Sequence, residues 1–267
     1  MVMLGETTAV YPHKLRRLYW PFLELAQSCR HIVGTVAGSF HADERRYTIP
    51  RFTVLGPARS VQQRIGIFAL VHGDEPAGAA ALLLLLQTLR QQPDLAAGYD
   101  IVVYPVCNPT GYEDGTRYNR TGIDLNREFW RGSVQPEVGI LEEELRNGEF
   151  DGIIALHSDD TCSGLYGFTH GRVLNENLLR PALQASSAVL PLDGRPTIDG
   201  FPAKSGLICD CFKGILAPPP RQNPRPFEII FETPARALAE QQAQAAHLAL
   251  LSILENYRKF MAYAQDL

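Results

Sequence analysis

The chain has 267 residues, 45% of them hydrophobic and 20% charged, with 25 basic against 29 acidic side chains. That balance can bury a substantial core. The formal charge of −4 offers no basic surplus to draw nucleic acid or an anionic membrane. The start, MVMLGETTAVYPHK, lacks an apolar stretch behind a positive end, and the longest apolar run, Ala77 to Leu86 broken only by Gly78, is too short for a bilayer. A protein without signal or membrane span is expected, and the five cysteines (Cys29, Cys107, Cys162, Cys209, Cys211) form no CxxC pair, which suits reduced thiols in a cytoplasm. Cys209 and Cys211 have no second pair to complete a metal site, so they read as alternate positions on one strand or turn.

Residues 12–28 carry apolar groups at helical spacing, with Pro21 as an expected break. Residues 31–37 and 46–55 read as strands. Arg64–Val71 is a third strand, leading through a turn into a helix over about 75–91; Asp100–Val106 is the next. Gln135–Asn147 reads as a helix with Pro136 near its start. Phe150–Leu156 is a strand, Val173–Ser187 a helix, Phe227–Phe231 a strand, and Arg236–Phe260 a long helix rich in Ala, Leu and Gln. Continuous apolar strands alternating with helices predict an α/β fold: a mostly parallel mixed sheet with helices on both faces, here a single domain over 1–267. The stretch 214–227, GILAPPPRQNPRPF, holds five prolines. It reads as a stiff loop, and because it feeds the strand ending at Glu232 it is expected at the mouth of the site.

In such a sheet, ligands bind beyond the carboxyl ends of the strands. The strand 64–71 runs into His72-Gly-Asp-Glu75. The strand 150–156 runs into His157-Ser-Asp-Asp160, and 227–231 into Glu232. The strand 100–106 leads to Asn108-Pro-Thr-Gly and then to GTRYNRTGIDLNREF, residues 115–129. Singly these are weak: H-x-x-E occurs by chance, and Arg117, Arg120 and Arg127 alone would pass for a solvated face. Together, two imidazoles and several carboxylates at one edge suit zinc.

The segments HGDEPAG (72–78), NPTGYEDGTRYNRTGIDLNREF (108–129), LHS (156–158) and FETP (231–234) resemble those of the zinc carboxypeptidase A-like superfamily, which includes bacterial murein-peptide amidases and the succinylglutamate desuccinylase/aspartoacylase group. The resemblance implies one zinc per chain held by His72, Glu75 and His157. It implies Arg117 as the oxyanion-stabilising group, Asn126 and Arg127 as a clamp for a substrate carboxylate, and Glu232 as general base. Asp124 and Asp74 are candidates to hold the imidazoles from behind. The histidines lie 85 positions apart, a compact spacing more like the amidase and deacylase branches. There are departures: no tyrosine lies between Gly167 and Glu255, position 159 is Asp rather than Tyr, and LNREF replaces LNRNF. The first two make a digestive substrate preference doubtful. Tyr166 reads as a core or rim aromatic rather than a pocket residue.

The expected function is therefore zinc-dependent hydrolysis of an amide next to a free carboxylate, as a metallocarboxypeptidase or peptide amidase. Its substrate would be a small peptide or an N-acyl amino acid. The alternatives are an N-acyl amino acid deacylase and a non-catalytic, zinc-containing peptide-binding protein. The last should lack a base or an oxyanion group, and both Glu232 and Arg117 are present. A structural zinc protein would need a closed four-ligand site that the sequence does not offer.

Overall fold

A computed structural model of the chain describes residues 12–58 and 62–265. Its centre is an eight-stranded mixed sheet. Four parallel strands form the middle in the order β4 (Tyr99–Tyr104), β3 (Gln63–Ala69), β5 (Gly152–Asp159) and β10 (Phe227–Pro234). The antiparallel pair β1 (Ile32–Ala42) and β2 (Arg45–Leu55) continues the sheet beyond β4. On the other side, β6 (Tyr166–Thr169) runs antiparallel to β10 and carries the short β9 (Leu207–Ile208). A separate two-residue hairpin pairs β7 (Thr197–Ile198) with β8 (Phe201–Pro202).

The middle strands read as unbroken apolar runs because both their faces are covered. Ile65, Ile67, Ile154, Leu156, Ile229 and Phe231 point to one face. There they meet α1 (His13–Ser28), α2 (Ala77–Gln91), α6 (Arg180–Ser186) and α7 (Ala239–Gln265). α7 turns Ala246, Ala249, Leu250, Ile253 and Tyr257 inward, the three-and-four spacing of an amphipathic helix. The alternate side chains Phe68, Tyr104 and Ile153 face α4 (Pro136–Asn147), which contributes Val138, Leu141 and Leu145. Farther along that face, Ala155, Phe168 and Ile230 lie under irregular chain rather than helix. The site is built there. No helix among the described residues is long and apolar enough to cross a membrane.

Several expectations shift. Pro21 does not break α1, which runs continuously through it. Burial of Leu15, Tyr19, Phe22, Leu23 and Leu25 outweighs the one hydrogen bond that proline removes. α2 begins at Ala77 because Pro76 occupies its cap. The segment after β4, to which the sequence assigns no element, forms the short helix α3 (Pro109–Asp114), capped by Asn108, whose side chain accepts from the Gly111 N–H. The helix expected over 173–187 is broken into α5 (Arg172–Leu174), a π-helical turn (Asn175–Leu179) and α6, with Pro181 in the first turn of the last piece. The proline-rich loop is the largest correction. Only its start, at Ile215, lines the site cavity. Pro219, Pro224 and Pro226 lie beside Phe150 and Asp151, at the amino ends of the strands. β10 is parallel to β5, so the chain entering it must arrive at the edge opposite the one where Glu232 emerges.

Candidate metal centre

β3 stops at Ala69, and Leu70 adopts a left-handed backbone with φ of 54°. This is strained for a branched residue. It is held because the Leu70 carbonyl accepts the Asn108 N–H at 2.8 Å and the Asn108 side chain donates to the Val71 carbonyl at 3.2 Å. The chain then turns at Gly73, where an added Cβ would sit 2.0 Å from the Gly111 carbonyl carbon. Only glycine lets the HGDE turn pack on the NPTG segment. His72 and Glu75 are thereby presented beside His157, which sits within β5, and Glu232, which lies level with it on β10.

Three buried donors converge. His72 Nδ1 lies 2.6 Å from Glu75 Oε1, His157 Nδ1 lies 2.9 Å from Glu75 Oε2, and the two Nδ1 atoms are 3.2 Å apart. Behind them, His72 Nε2 lies 3.2 Å from Asp124 Oδ1. A carboxylate only accepts, so a neutral His72 that donates from Nε2 to Asp124 turns its Nδ1 lone pair toward the Glu75 oxygen, whereas a protonated His72 donates to both carboxylates. In that neutral form the two facing acceptors leave a place that a cation can fill. The donor set thus fits a metal ion, and all three ligand atoms lie within 4.8 Å of one another.

Electrostatics agree. Burial alone would raise the Glu75 carboxyl, yet the facing His157 and His72 hold it at about 2. Burial disfavours a charged His72, but Glu75 and Asp124 lift it above the ordinary imidazole value. At His157 burial wins over Glu75 and the value falls. Glu232 is pushed well above the carboxylate range by burial, then by the negative charges of Glu75, Asp159 and Asp199.

A cavity of about 510 Å³ opens onto this cluster. His72, Glu75, Arg117, Asn126, Arg127 and Glu232 line it, and His157 lies directly behind, against His72 and Glu75. Arg117 is clamped by Asp124 at 3.1 and 3.2 Å and reaches within 3.6 Å of Glu75. Arg127 donates to the Asn126 carbonyl at 2.7 Å and stacks over the Phe212 ring at 4.9 Å. The Asn126 Oδ1 accepts the Leu216 N–H at 2.9 Å, and its Nδ2 lies 3.5 Å from His157 Nε2. Arg120 is elsewhere, paired with Asp114 and Glu113. Asp74 lines the cavity and acts on Arg117 rather than on an imidazole.

A family model for the succinylglutamate desuccinylase/aspartoacylase catalytic domain matches residues 61–189. The fold is similar to that of a candidate metallopeptidase from Shewanella denitrificans OS217, with TM-score 0.77, 22% identity, and 90% of this chain and 89% of that one covered. It is similar also to a metallo-carboxypeptidase from Pseudomonas aeruginosa solved with (2-guanidinoethylmercapto)succinic acid, with TM-score 0.67, 18% identity, and 92% and 68% covered. The chain fits the zinc carboxypeptidase-like superfamily. Among curated members, carboxypeptidase 2 of Trichophyton rubrum is 32% identical over 113 residues, covering 41% of this chain and 19% of that protein. The matched stretch is therefore a small part of that relative's length. At these identities the structural neighbours establish the fold, and the superfamily suggests a hydrolase.

Other parts of the cavity were not legible in the sequence. Tyr166 is buried, as expected of a core aromatic, but its hydroxyl reaches the cavity wall at 3.0 Å from Asp159 and 3.1 Å from Asp199. Asp199 and Phe212 come from the irregular stretch after α6, where no periodicity marks an inward face. Ser158 turns its hydroxyl toward Thr233 and Gln242 of α7, both at 2.9 Å, locking β5 to β10 beside the donors. Gln242 stands on α7 outside every quoted motif, so the sequence gives no sign of that lock.

Proposed function

We propose that the protein is a zinc-dependent hydrolase of amide bonds adjacent to a free carboxylate, with one zinc held by His72, Glu75 and His157. The observation that carries this is the meeting of those buried donors with Glu232, Arg117 and Arg127 around one cavity. Two imidazoles and one carboxylate are a zinc donor set that leaves a coordination position open. A bound zinc would supply Lewis acidity toward water and the scissile carbonyl. Glu232, alone among the cavity carboxylates in being raised so far, takes a proton from the attacking water and returns it to the leaving nitrogen. Arg117, fixed by Asp124 and always charged, stabilises the developing oxyanion. Arg127, backed by Phe212, receives the substrate carboxylate, and Asn126 positions it while bracing the loop at Leu216.

The family match to a desuccinylase/aspartoacylase domain favours a second reading, deacylation of an N-acyl amino acid. The cavity wall argues against an acidic acyl chain. Asp74, Asp159, Asp160 and Asp199 all line it, and they would repel a second carboxylate and welcome an amino group.

The test loads the protein with zinc and compares C-terminal dipeptides, γ-D-glutamyl-diaminopimelate peptides and N-acyl amino acids. Turnover is expected with the peptides, and zinc content of about one per chain at this centre should vanish in His72→Ala and His157→Ala. Undiminished zinc at this centre in either variant overturns the ligand assignment. Preference for N-succinyl amino acids transfers the protein to the deacylase reading.

A further inference from the structure

We propose that His170, Cys211 and Glu228 form a second site, for a zinc-class divalent cation, on the same face of the sheet but apart from the first centre. The site does not depend on the function read above. The antiparallel register of β6 and β10 pairs Thr169 with Ile229, so the next residue out, His170, stands opposite Glu228. Cys211 arrives from the loop leaving β9, which pairs with β6. The Cys211 Sγ lies 2.9 Å from His170 Nε2, that nitrogen lies 3.8 Å from Glu228 Oε2, and the three donors fall within 4.8 Å of one another. Tetrahedral zinc, with a Zn–S bond of about 2.3 Å and a Zn–N bond of about 2.0 Å, spaces its ligand atoms roughly 3.5 Å apart. The observed separations bracket that value.

The observation that asks for a ligand is Glu228. Its side chain is only 4% exposed; its Oε2 faces both His170 and Arg225, and its Oε1 has no hydrogen-bond partner among the described residues. Arg225 engages Oε2 at 3.4 Å, from a side chain that is itself 56% exposed. A carboxylate has lone pairs for both a guanidinium and a metal, and a buried charge with an idle oxygen is costly until something meets it. Cys211 as thiolate, Glu228 as carboxylate and His170 as neutral imidazole carry two negative charges, which a divalent cation balances. On binding, the Cys211 thiol releases its proton to solvent and its sulfur takes the metal. His170 is 44% exposed, which leaves room for water as fourth ligand. Thiolate, imidazole and carboxylate together select zinc over magnesium or calcium.

Glu228 and Glu232 are four residues apart on β10, about 13 Å. Between them Ile230 packs with Phe168, and Phe168 with Phe212. The two centres therefore do not share a ligand. Cys211 directly precedes Phe212, so a metal here ties down the loop whose ring supports Arg127.

Cobalt(II), titrated into chelator-stripped protein, reads this site selectively. A thiolate ligand gives cobalt an intense near-ultraviolet charge-transfer band, and the first centre has no thiolate. Because the first centre also takes cobalt, the band should saturate within about two equivalents and be displaced by zinc. It should vanish in Cys211→Ser and persist in both Cys209→Ser and His157→Ala. His170→Ala, a change at an exposed position that leaves the core intact, should weaken cobalt binding by at least about tenfold. Absence of the band, its survival in Cys211→Ser, its loss in Cys209→Ser, or unchanged affinity in His170→Ala overturns the proposal. Persistence of the band in His157→Ala separates this outcome from any failure at the first centre.

Discussion

Glu75 and Glu228 sit in the two donor clusters, on neighbouring strand systems, and are almost equally buried, at 6% and 4% exposure. Burial pushes both carboxyls up, yet Glu75 is held at about 2 while Glu228 rises to about 7. The partners make the difference. Glu75 meets two imidazoles and the Ser158 N–H. Glu228 meets one long contact from Arg225 and keeps an oxygen idle. The first cluster is arranged even as protein alone, whereas the second is short of a cation. Desolvation is common to both, so the count and charge of facing groups decide what each carboxylate does.

The largest test of this contrast leaves both donor sets in place. Glu232→Gln keeps the shape of the side chain and removes the proton acceptor. The kcat should fall by roughly 10²–10⁴ with the metal at the first centre retained. Metal analysis alongside kinetics checks it. Loss of metal would mean that Glu232 belongs to the donor set, and the first cluster would no longer be complete without it.

Arg127→Ala comes next. A charged contact made already in the bound ground state is worth about 1.5–3 kcal/mol, so KM should rise roughly 10–10²-fold with a smaller change in kcat. Amidating the substrate's carboxylate should hurt the native enzyme and barely hurt this variant. Equal harm to both would remove Arg127 from carboxylate binding. Phe212→Ala should give a milder version of the same phenotype. Loss of a cation–π contact of about 0.5–1 kcal/mol predicts a two- to fivefold rise in KM at constant kcat, measured by initial rates. An unchanged KM would sever the link between Arg127 and the loop that Cys211 anchors.

The two clusters were unequally legible in the sequence. His72, Glu75, His157 and Glu232 each end an apolar strand or stand in its last turn, and a parallel sheet carries all such ends to one edge. Strand periodicity therefore placed them together before any coordinates. Arg117, Asp124, Asn126 and Arg127 came with a motif, and the structure draws them to the same cavity. The second cluster has no such signature. β6 is four residues long and β9 two, too short for alternation to register, and the spacing from His170 through Cys211 to Glu228 follows no recurring pattern. The sequence relates Cys211 to Cys209 only as alternate positions on one strand or turn, whereas its partners lie across strands. The proline-rich loop departs from expectation for a related reason: nearness in sequence to the strand ending at Glu232 is not nearness in space, because the strand's own length intervenes.

An idle, buried carboxylate oxygen also occurs where no metal donor is near, and that gives the contrast its control. Glu137, in the first turn of α4, is 1% exposed. Its Oε1 accepts from Thr110 at 3.1 Å and its Oε2 has no partner among the described residues. Burial lifts its carboxyl above the ordinary value, against its own backbone N–H and the Thr110 hydroxyl. The helix dipole favours a negative charge in that turn by about 0.3–1 kcal/mol, whereas an unsatisfied buried oxygen costs about 1–3 kcal/mol, and the upward shift says that burial prevails. The folded state then holds its proton to higher pH than the unfolded chain does. Stability from this group is lost as pH rises from the ordinary carboxylate value through the raised one, and stays lost above it. Glu137→Gln cannot ionise. It should match the native protein in Tm near pH 4 and exceed it by about 2–4 °C per kcal/mol recovered at pH 8, with metal content unchanged. Thermal unfolding at the two pH values decides. A variant less stable at pH 8 would show that an idle buried oxygen costs this fold little, and Glu228 would lose its physical claim on a cation.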